Sequence, residues 1–237
     1  QVGIPAAFMF FRSCDGQPNQ KLRSYHSGET GDLRQVIDYL KQQGSKRIAL
    51  VGYSLGGNVT LKYLGEDNTD PAICCASAIS APLLLDICAQ RMDQGFSKIY
   101  QHTLLQRLIR KVAQKQHLFR QAGYGTAAQQ VKNFVEFDDK YTAPIHGFAD
   151  AMDYYQRNSS RQFLKHIDKP TLIIHSSDDP FMTEAVIPDA EELSDSVTLE
   201  LSNHGGHVGF IGGGLFNPQY WLEPRILEFI QGHLEAR

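Results

Sequence analysis

No run of eighteen apolar residues occurs in this sequence, so no membrane-spanning helix is expected. The start, QVGIPAAFMFFRSC, lacks the basic region and small-residue cleavage site of a secretory leader. Neither sign of charge is in excess: 23 Lys and Arg stand against 26 Asp and Glu. A net charge of −3 makes no field that would gather nucleic acid or an anionic membrane, so no nucleic-acid partner is expected. Cysteine is scarce, with four residues and no C-x-x-C pair. Cys74 and Cys75 stand side by side in an apolar run, where reduced, buried thiols are expected. That usage suits a cytoplasmic, reducing setting. There is no internal repeat, low-complexity stretch or Gly/Ser linker, so residues 1–237 are read as one domain.

What is present is ordinary globular usage, with 42% apolar and 21% charged residues. Apolar runs at Pro5–Phe11, Arg47–Tyr53, Ala72–Ile79, Thr171–His175 and Val197–Leu201 read as strands. Ser27 or Thr30 is placed to cap a helix reaching about Gln43, with Leu33, Val36, Ile37 and Leu40 on one face. Leu55–Leu64 returns to helical spacing, and Pro218–Leu234 reads as a closing helix. Strands alternating with helices predict a mainly parallel sheet of βαβ units. Between the third and fourth strands that follow this pattern, residues 83–167 hold helical spacing only. They read as a helical insertion over the sheet.

Gly52-Tyr53-Ser54-Leu55-Gly56-Gly57 fits G-x-S-x-G between a predicted strand and a predicted helix. A sharp strand-to-helix turn would hold Ser54 in a strained conformation at the C-terminal edge of the sheet, with small residues at 52 and 56 giving room. The N–H of Leu55, at the helix start, would then face a developing oxyanion. The five-residue pattern alone is common by chance; its place between strand and helix is what carries weight.

A serine hydroxyl needs a base, and the base needs an orienting acid. Two later strands end in loops that supply them: Ser176-Ser177-Asp178-Asp179-Pro180 and Ser202-Asn203-His204-Gly205-Gly206-His207. Asp179 is preferred over Asp178 as the acid, and His207, after the glycines of a loop tip, over His204 as the base. Parallel strands end at one edge, so both loops are expected beside Ser54.

Other clusters carry readings of their own. His175, Asp178, Asp179, His204 and His207 have the composition of metal ligands but not the spacing of an H-E-x-x-H helix, and no metal or organic cofactor is expected. Lys98, Arg107, Arg110, Lys111, Lys115 and Arg120 lie in a stretch without acids, among leucines at helical spacing. The stretch reads as a lid helix with a solvated basic face; contact with a membrane surface is the second reading. His146 and Phe148 are candidates for an acyl pocket or for plain core packing, as is the aromatic stretch Phe134–Tyr155.

The segments FFRSCDGQPN (10–19), YHSGET (25–30), VGYSLGGN (51–58), FDDKYTAPIHGF (137–148), SSDDPFM (176–182) and HGGHVGF (204–210) resemble the YheT-like (ABHD-type) branch of the α/β-hydrolases. The resemblance spans nearly the whole chain. It implies an α/β-hydrolase fold and a serine esterase with Ser54, Asp179 and His207 as its triad, and an acyl ester as substrate. Short- to medium-chain esters are expected, with acyl transfer to an alcohol as a close variant. The alternative is a protein of this fold that binds an apolar ligand or a partner without turnover. Members of the family carry further N-terminal strands and a His-Gly loop that gives a second oxyanion donor. No His-Gly pair precedes Ser54, and the chain does not begin with Met. It is therefore expected to start after those strands and, on its own, to make a poor enzyme.

Overall fold

Apolar periodicity of two, then of three to four, then of two again builds a sheet covered by helices. The computed structural model describes residues 3–66, 70–124, 130–214 and 217–235. Helix α1 (Thr30–Gln42) leads into β1 (Ile48–Tyr53), and α2 (Leu55–Gly65) joins β1 to β2 (Ile73–Ile79). Strands β3 (Thr171–Ser176) and β4 (Val197–Ser202) complete a four-stranded sheet of order β1-β2-β3-β4, parallel throughout. All six residues of β3 are buried, as expected of an inner parallel strand covered on both faces. Alternate β3 side chains enter different cores. Ile173 packs with Ile37, Leu61 and Leu64 of α1 and α2. Leu172 and Ile174 pack with Leu222, Ile226 and Ile230 of a C-terminal helix.

Between β2 and β3 run α3 (Leu85–Met92), α4 (Ser97–Gln114), α5 (Gln116–Gln121), α6 (Phe134–Phe137), α7 (Ala143–His146) and α8 (Ala151–Asn158). Among the described residues this insertion holds no strand. It brings two apolar clusters of its own, around Leu105, Phe119 and Tyr141 and around Leu85, Tyr154 and Tyr155. No described helix is long and apolar enough to cross a membrane.

Several expectations are corrected. Pro5–Phe11 is not a buried strand: Phe8 and Phe10 are exposed, and only Met9 and Phe11 lean on the core. Its period of two is real, but no described strand lies beside it to accept its hydrogen bonds. Neither Ser27 nor Thr30 caps α1. Thr30 is the first helical residue and its hydroxyl donates to Glu66, 2.8 Å away. The closing helix, α9 (Leu222–Leu234), starts four residues later than expected. Pro218 lies instead in an exposed antiparallel hairpin of β5 (Ile211–Gly214) and β6 (Asn217–Tyr220), where its missing N–H costs little.

Candidate active site

The C-terminal ends of β1, β3 and β4 open on one edge of the sheet, and each carries one of the candidate groups. Ser54 sits between β1 and α2 with φ +49° and ψ −118°, a region an L residue enters at a cost of about 1–3 kcal/mol. Hydrogen bonds hold it there. Its N–H donates to Ile79 O at 2.8 Å, and its carbonyl accepts from Gly57 and Asn58. Leu55, next in line, opens α2, and a helix leaves its first N–H groups without an internal partner.

The close packing differs from the sequence expectation in one position. A Cβ at Gly52 would lie 2.3 Å from Gly56 O, and one at Gly57 would lie 2.8 Å from the Ala81 Cβ. A Cβ at Gly56 would meet nothing within 4 Å. The backbone crossing of the turn needs Gly52 and Gly57, not Gly56. Gly52→Ala is therefore expected to destabilise by about 1–3 kcal/mol. Gly56→Ala should be neutral or stabilising by up to about 1 kcal/mol, since alanine favours a helix. Denaturant melts of the two variants make the comparison.

His207 Nε2 lies 2.9 Å from Ser54 Oγ, and its Nδ1 lies 2.8 Å from Asp179 Oδ2. Asp179 is 5% exposed, and its other oxygen accepts from the N–H of Phe181 at 2.9 Å. Phe181 meets the His207 ring edge-on at 4.8 Å and stacks on Tyr100 of α4. His204 stands in solvent, away from Ser54.

Asp178 does something that sequence reasoning missed. Its Oδ1 accepts from the N–H groups of Gly205 at 2.9 Å and Gly206 at 2.7 Å, and from the Ser176 hydroxyl. The loop it holds is strained, with φ +56° at Gly206 and +61° at Val208 on either side of His207. Val208 is β-branched, so this conformation is unusual and needs external support. Its N–H is taken by Ser80 Oγ at 3.3 Å.

The Ser176 hydroxyl and the Gly206 and Gly205 N–H groups lower the Asp178 pKa from 3.8 to about 2. The folded pKa lies below the unfolded one, so the fold favours the ionised form. That support is complete above about pH 4 and is lost as pH falls through about 2. Wild type is accordingly expected to melt higher than Asp178→Asn near neutrality, with the gap closing toward pH 2. Parallel thermal melts across that range check it.

Ser54, Leu55 and His207 lie at one wall of a cavity of about 470 Å³. The insertion supplies most of the rest, including Leu104, Val112, Phe134, Phe137 and Tyr141. His146 lines it; Phe148 does not, and packs on His26, Tyr154 and Arg157. Burial lowers the His146 pKa to about 4 and that of His26 to about 3, so both rings stay neutral near pH 7. Asp138, in a π-turn at Asp138–Thr142, also lines the cavity and accepts from Thr142 Oγ1 and Tyr155 Oη. Burial raises its pKa to about 6.

Most of the basic stretch is the solvated face that its sequence suggests, with Lys98, Arg107, Arg110 and Arg120 exposed, but Lys111 is half-buried and Lys115 is buried. Lys115 is 2% exposed, and its ammonium donates to Asn19, Lys21, Leu22 and Ser24 in the loop before α1. Arg107 and Lys111 line the cavity, and Lys98 pairs with Asp93.

The five residues weighed as metal ligands are divided among other tasks. Asp179 engages His207, Asp178 holds the loop, His204 is exposed, and His175 is buried in β3. Among the described residues a different trio, His26, Glu29 and His146, brings ligand atoms within 4.8 Å of one another. Arg23 already donates to Glu29, and His26 Nδ1 accepts from the Gly28 N–H. The Glu29 carboxylate is thus already engaged by a cation of the chain, so the trio does not fit a metal.

Fold and site together define a class, and comparison with known proteins agrees. Residues 13–214 match the α/β-hydrolase fold family, and the chain belongs to that family, in its YheT-like branch. It is 46% identical over 232 residues to "Putative esterase YheT" of Escherichia coli (strain K12), which covers 97% of this chain and 68% of that protein. It is 25% identical over 237 residues to monoacylglycerol lipase ABHD2 of Homo sapiens, covering 90% of this chain and 55% of that one. An esterase of Pyrococcus furiosus shares the fold, with a TM-score of 0.52 at 20% identity over 90% of this chain and 65% of the other. The chain thus spans roughly half to two-thirds of the curated relatives it matches.

Proposed function

We propose that this protein is a serine hydrolase that cleaves carboxylic esters through an acyl-serine intermediate. The reading rests on one observation above all: the hydroxyl, imidazole and carboxylate of Ser54, His207 and Asp179 form an unbroken chain at 2.9 and 2.8 Å beside an apolar cavity.

With a proton on Nδ1 donated to Asp179, His207 Nε2 is free to take the proton of Ser54 as Oγ attacks the ester carbonyl. The charge on the tetrahedral oxygen faces the Leu55 N–H at the start of α2. Collapse of that intermediate returns the proton to the departing alcohol. Water then attacks the acyl-serine with His207 again as base, and an alcohol in its place gives acyl transfer. Strain at Ser54 and around His207 keeps both groups in position before substrate arrives.

The names of the relatives, an esterase and a monoacylglycerol lipase, support an ester bond as target. A cavity of about 470 Å³ walled by the insertion suits a short to medium acyl chain, with α4 as part of a lid. Val112→Phe is expected to shift the kcat/KM optimum across p-nitrophenyl esters toward shorter chains by two carbons or more. An unchanged profile would remove α4 from the acyl pocket.

Labelling with a fluorophosphonate, followed by peptide mapping, tests the assignment. Modification at Ser54 that is lost in His207→Ala is expected. An unlabelled Ser54 in folded protein would favour the alternative, a ligand-binding protein without turnover.

A further inference from the structure

Two basic residues of α4 that border the cavity, the exposed Arg107 and the half-buried Lys111, bear on what kind of ester enters. We propose that the substrate is an anionic amphiphile whose chain lies along the apolar stripe of α4 and whose charged end is held by Arg107 and Lys111. This rests on the serine-hydrolase reading.

Tyr100, Leu104, Arg107, Leu108, Lys111 and Val112 all border the cavity. Spacings of three and four put them on one face of α4, with the two cations a turn apart among leucines. The other charges nearby are already matched. Arg12 is held by Asp32 at 2.5–2.6 Å, Lys98 pairs with Asp93, and the oxygens of Asp138 are taken by Thr142 and Tyr155. Lys111 touches Cys14 Sγ at 3.0 Å and lies over the Tyr25 ring at 5.1 Å, and it makes no ion pair with a described residue. Arg107 has no ion pair with a described residue. The border of a predominantly apolar cavity thus carries two cations without an ion pair among the described residues, and an anion there gains charge-assisted hydrogen bonds.

The geometry also gives the reach. Tyr100 stacks on Phe181 at 4.5 Å, and Phe181 abuts His207, so the start of α4 is level with the reacting groups. At 1.5 Å per residue, Arg107 lies ~10 Å and Lys111 ~16 Å farther along the helix. The anion therefore belongs at the far end of the ester, separated from the scissile carbonyl by an apolar spacer. Either a carboxylate ending the acyl chain or a phosphate on the alcohol satisfies this chemistry.

Matched substrate pairs test it in the full-length protein. One pair is the p-nitrophenyl ester of decanoate against the p-nitrophenyl hemiester of decanedioate. The other is dodecanoyl glycerol against dodecanoyl glycerol phosphate. The expected result is a preference of about tenfold or more in kcat/KM for the charged member of at least one pair, carried mainly by KM. Which pair shows it tells whether the anion rides on the acid or the alcohol. The preference should shrink as salt rises from 0.05 to 0.5 M. It should collapse toward unity in Arg107→Gln/Lys111→Gln and persist in Lys111→Arg and in Arg120→Gln. No preference in either pair, or one that survives the double substitution in folded protein, would overturn the proposal. If the double variant does not fold, Arg107→Gln alone and the salt dependence decide on the same terms. Failure of the hydrolase reading is separable. If Ser54 takes no label and no ester turns over, calorimetry with dodecyl phosphate against dodecanol still decides, because equal affinities would sink the anion site.

Discussion

Ser54→Ala in the full-length protein is expected to lower ester turnover by a factor on the order of 10⁴ to 10⁶ while the protein stays folded. The size follows from cooperation within the proposed triad. Without the oxygen nucleophile, His207 and Asp179 have no proton to move, and only binding and oxyanion contacts are left to help water. The fold should survive because the Ser54 hydroxyl makes one contact, to His207, while the turn is held by backbone bonds to Ile79, Gly57 and Asn58. Turnover of p-nitrophenyl butyrate beside a thermal melt is the measurement. Wild-type turnover by the alanine variant would end the assignment.

Asp179→Asn should follow closely, with a loss on the order of 10⁴-fold. An amide there presents the wrong tautomeric demand to Nδ1 and cannot stabilise imidazolium. Its neighbour offers the contrast. Asp178→Asn keeps an acceptor oxygen for Gly205 and Gly206 and loses only the charge, so a loss of about tenfold is expected. Asp178→Ala removes the acceptor as well. With the His207 loop then free to shift by an ångström, a loss nearer 10²-fold is expected. Rates for the three variants, normalised to fluorophosphonate-reactive sites, rank them; a crippled Asp178→Asn beside an active Asp179→Asn would reverse the roles.

The strands and the Ser54 turn were legible because their signals are local. Five or six apolar residues between turn formers, and glycines packed about a serine, need no knowledge of the distant chain. The helical insertion could be bounded for the same reason, since 83–167 has helical spacing and Pro82 and Pro170 close to its ends. What depended on pairing was not legible. Pro5–Phe11 has a strand's composition, yet no described strand lies beside it. The hairpin at 211–220 is built on glycines and a proline that argue against a strand. The adjacent acids Asp178 and Asp179 differ only in direction, one toward the loop backbone and one toward the imidazole, and direction is set by the turn after β3. The fate of Lys115 was hidden too. Helical spacing shows which residues share a face but not whether a loop such as 19–24 lies across it to receive Lys115.

Asn58, one turn beyond Ser54 and wholly buried, carries a consequence for motion. Its amide nitrogen donates to Ser27 O at 2.7 Å and Asn158 O at 2.9 Å, and its oxygen accepts from the Ser160 N–H at 2.9 Å. The loop before α1, the end of α8 and α2 are thereby held together. The insertion cannot hinge at that root without breaking the two buried hydrogen bonds to Asn158 and Ser160. Motion that admits a ligand is therefore expected in parts of the insertion away from that root. Ser54, just ahead of the α2 residue that makes these bonds, is then expected to keep its place.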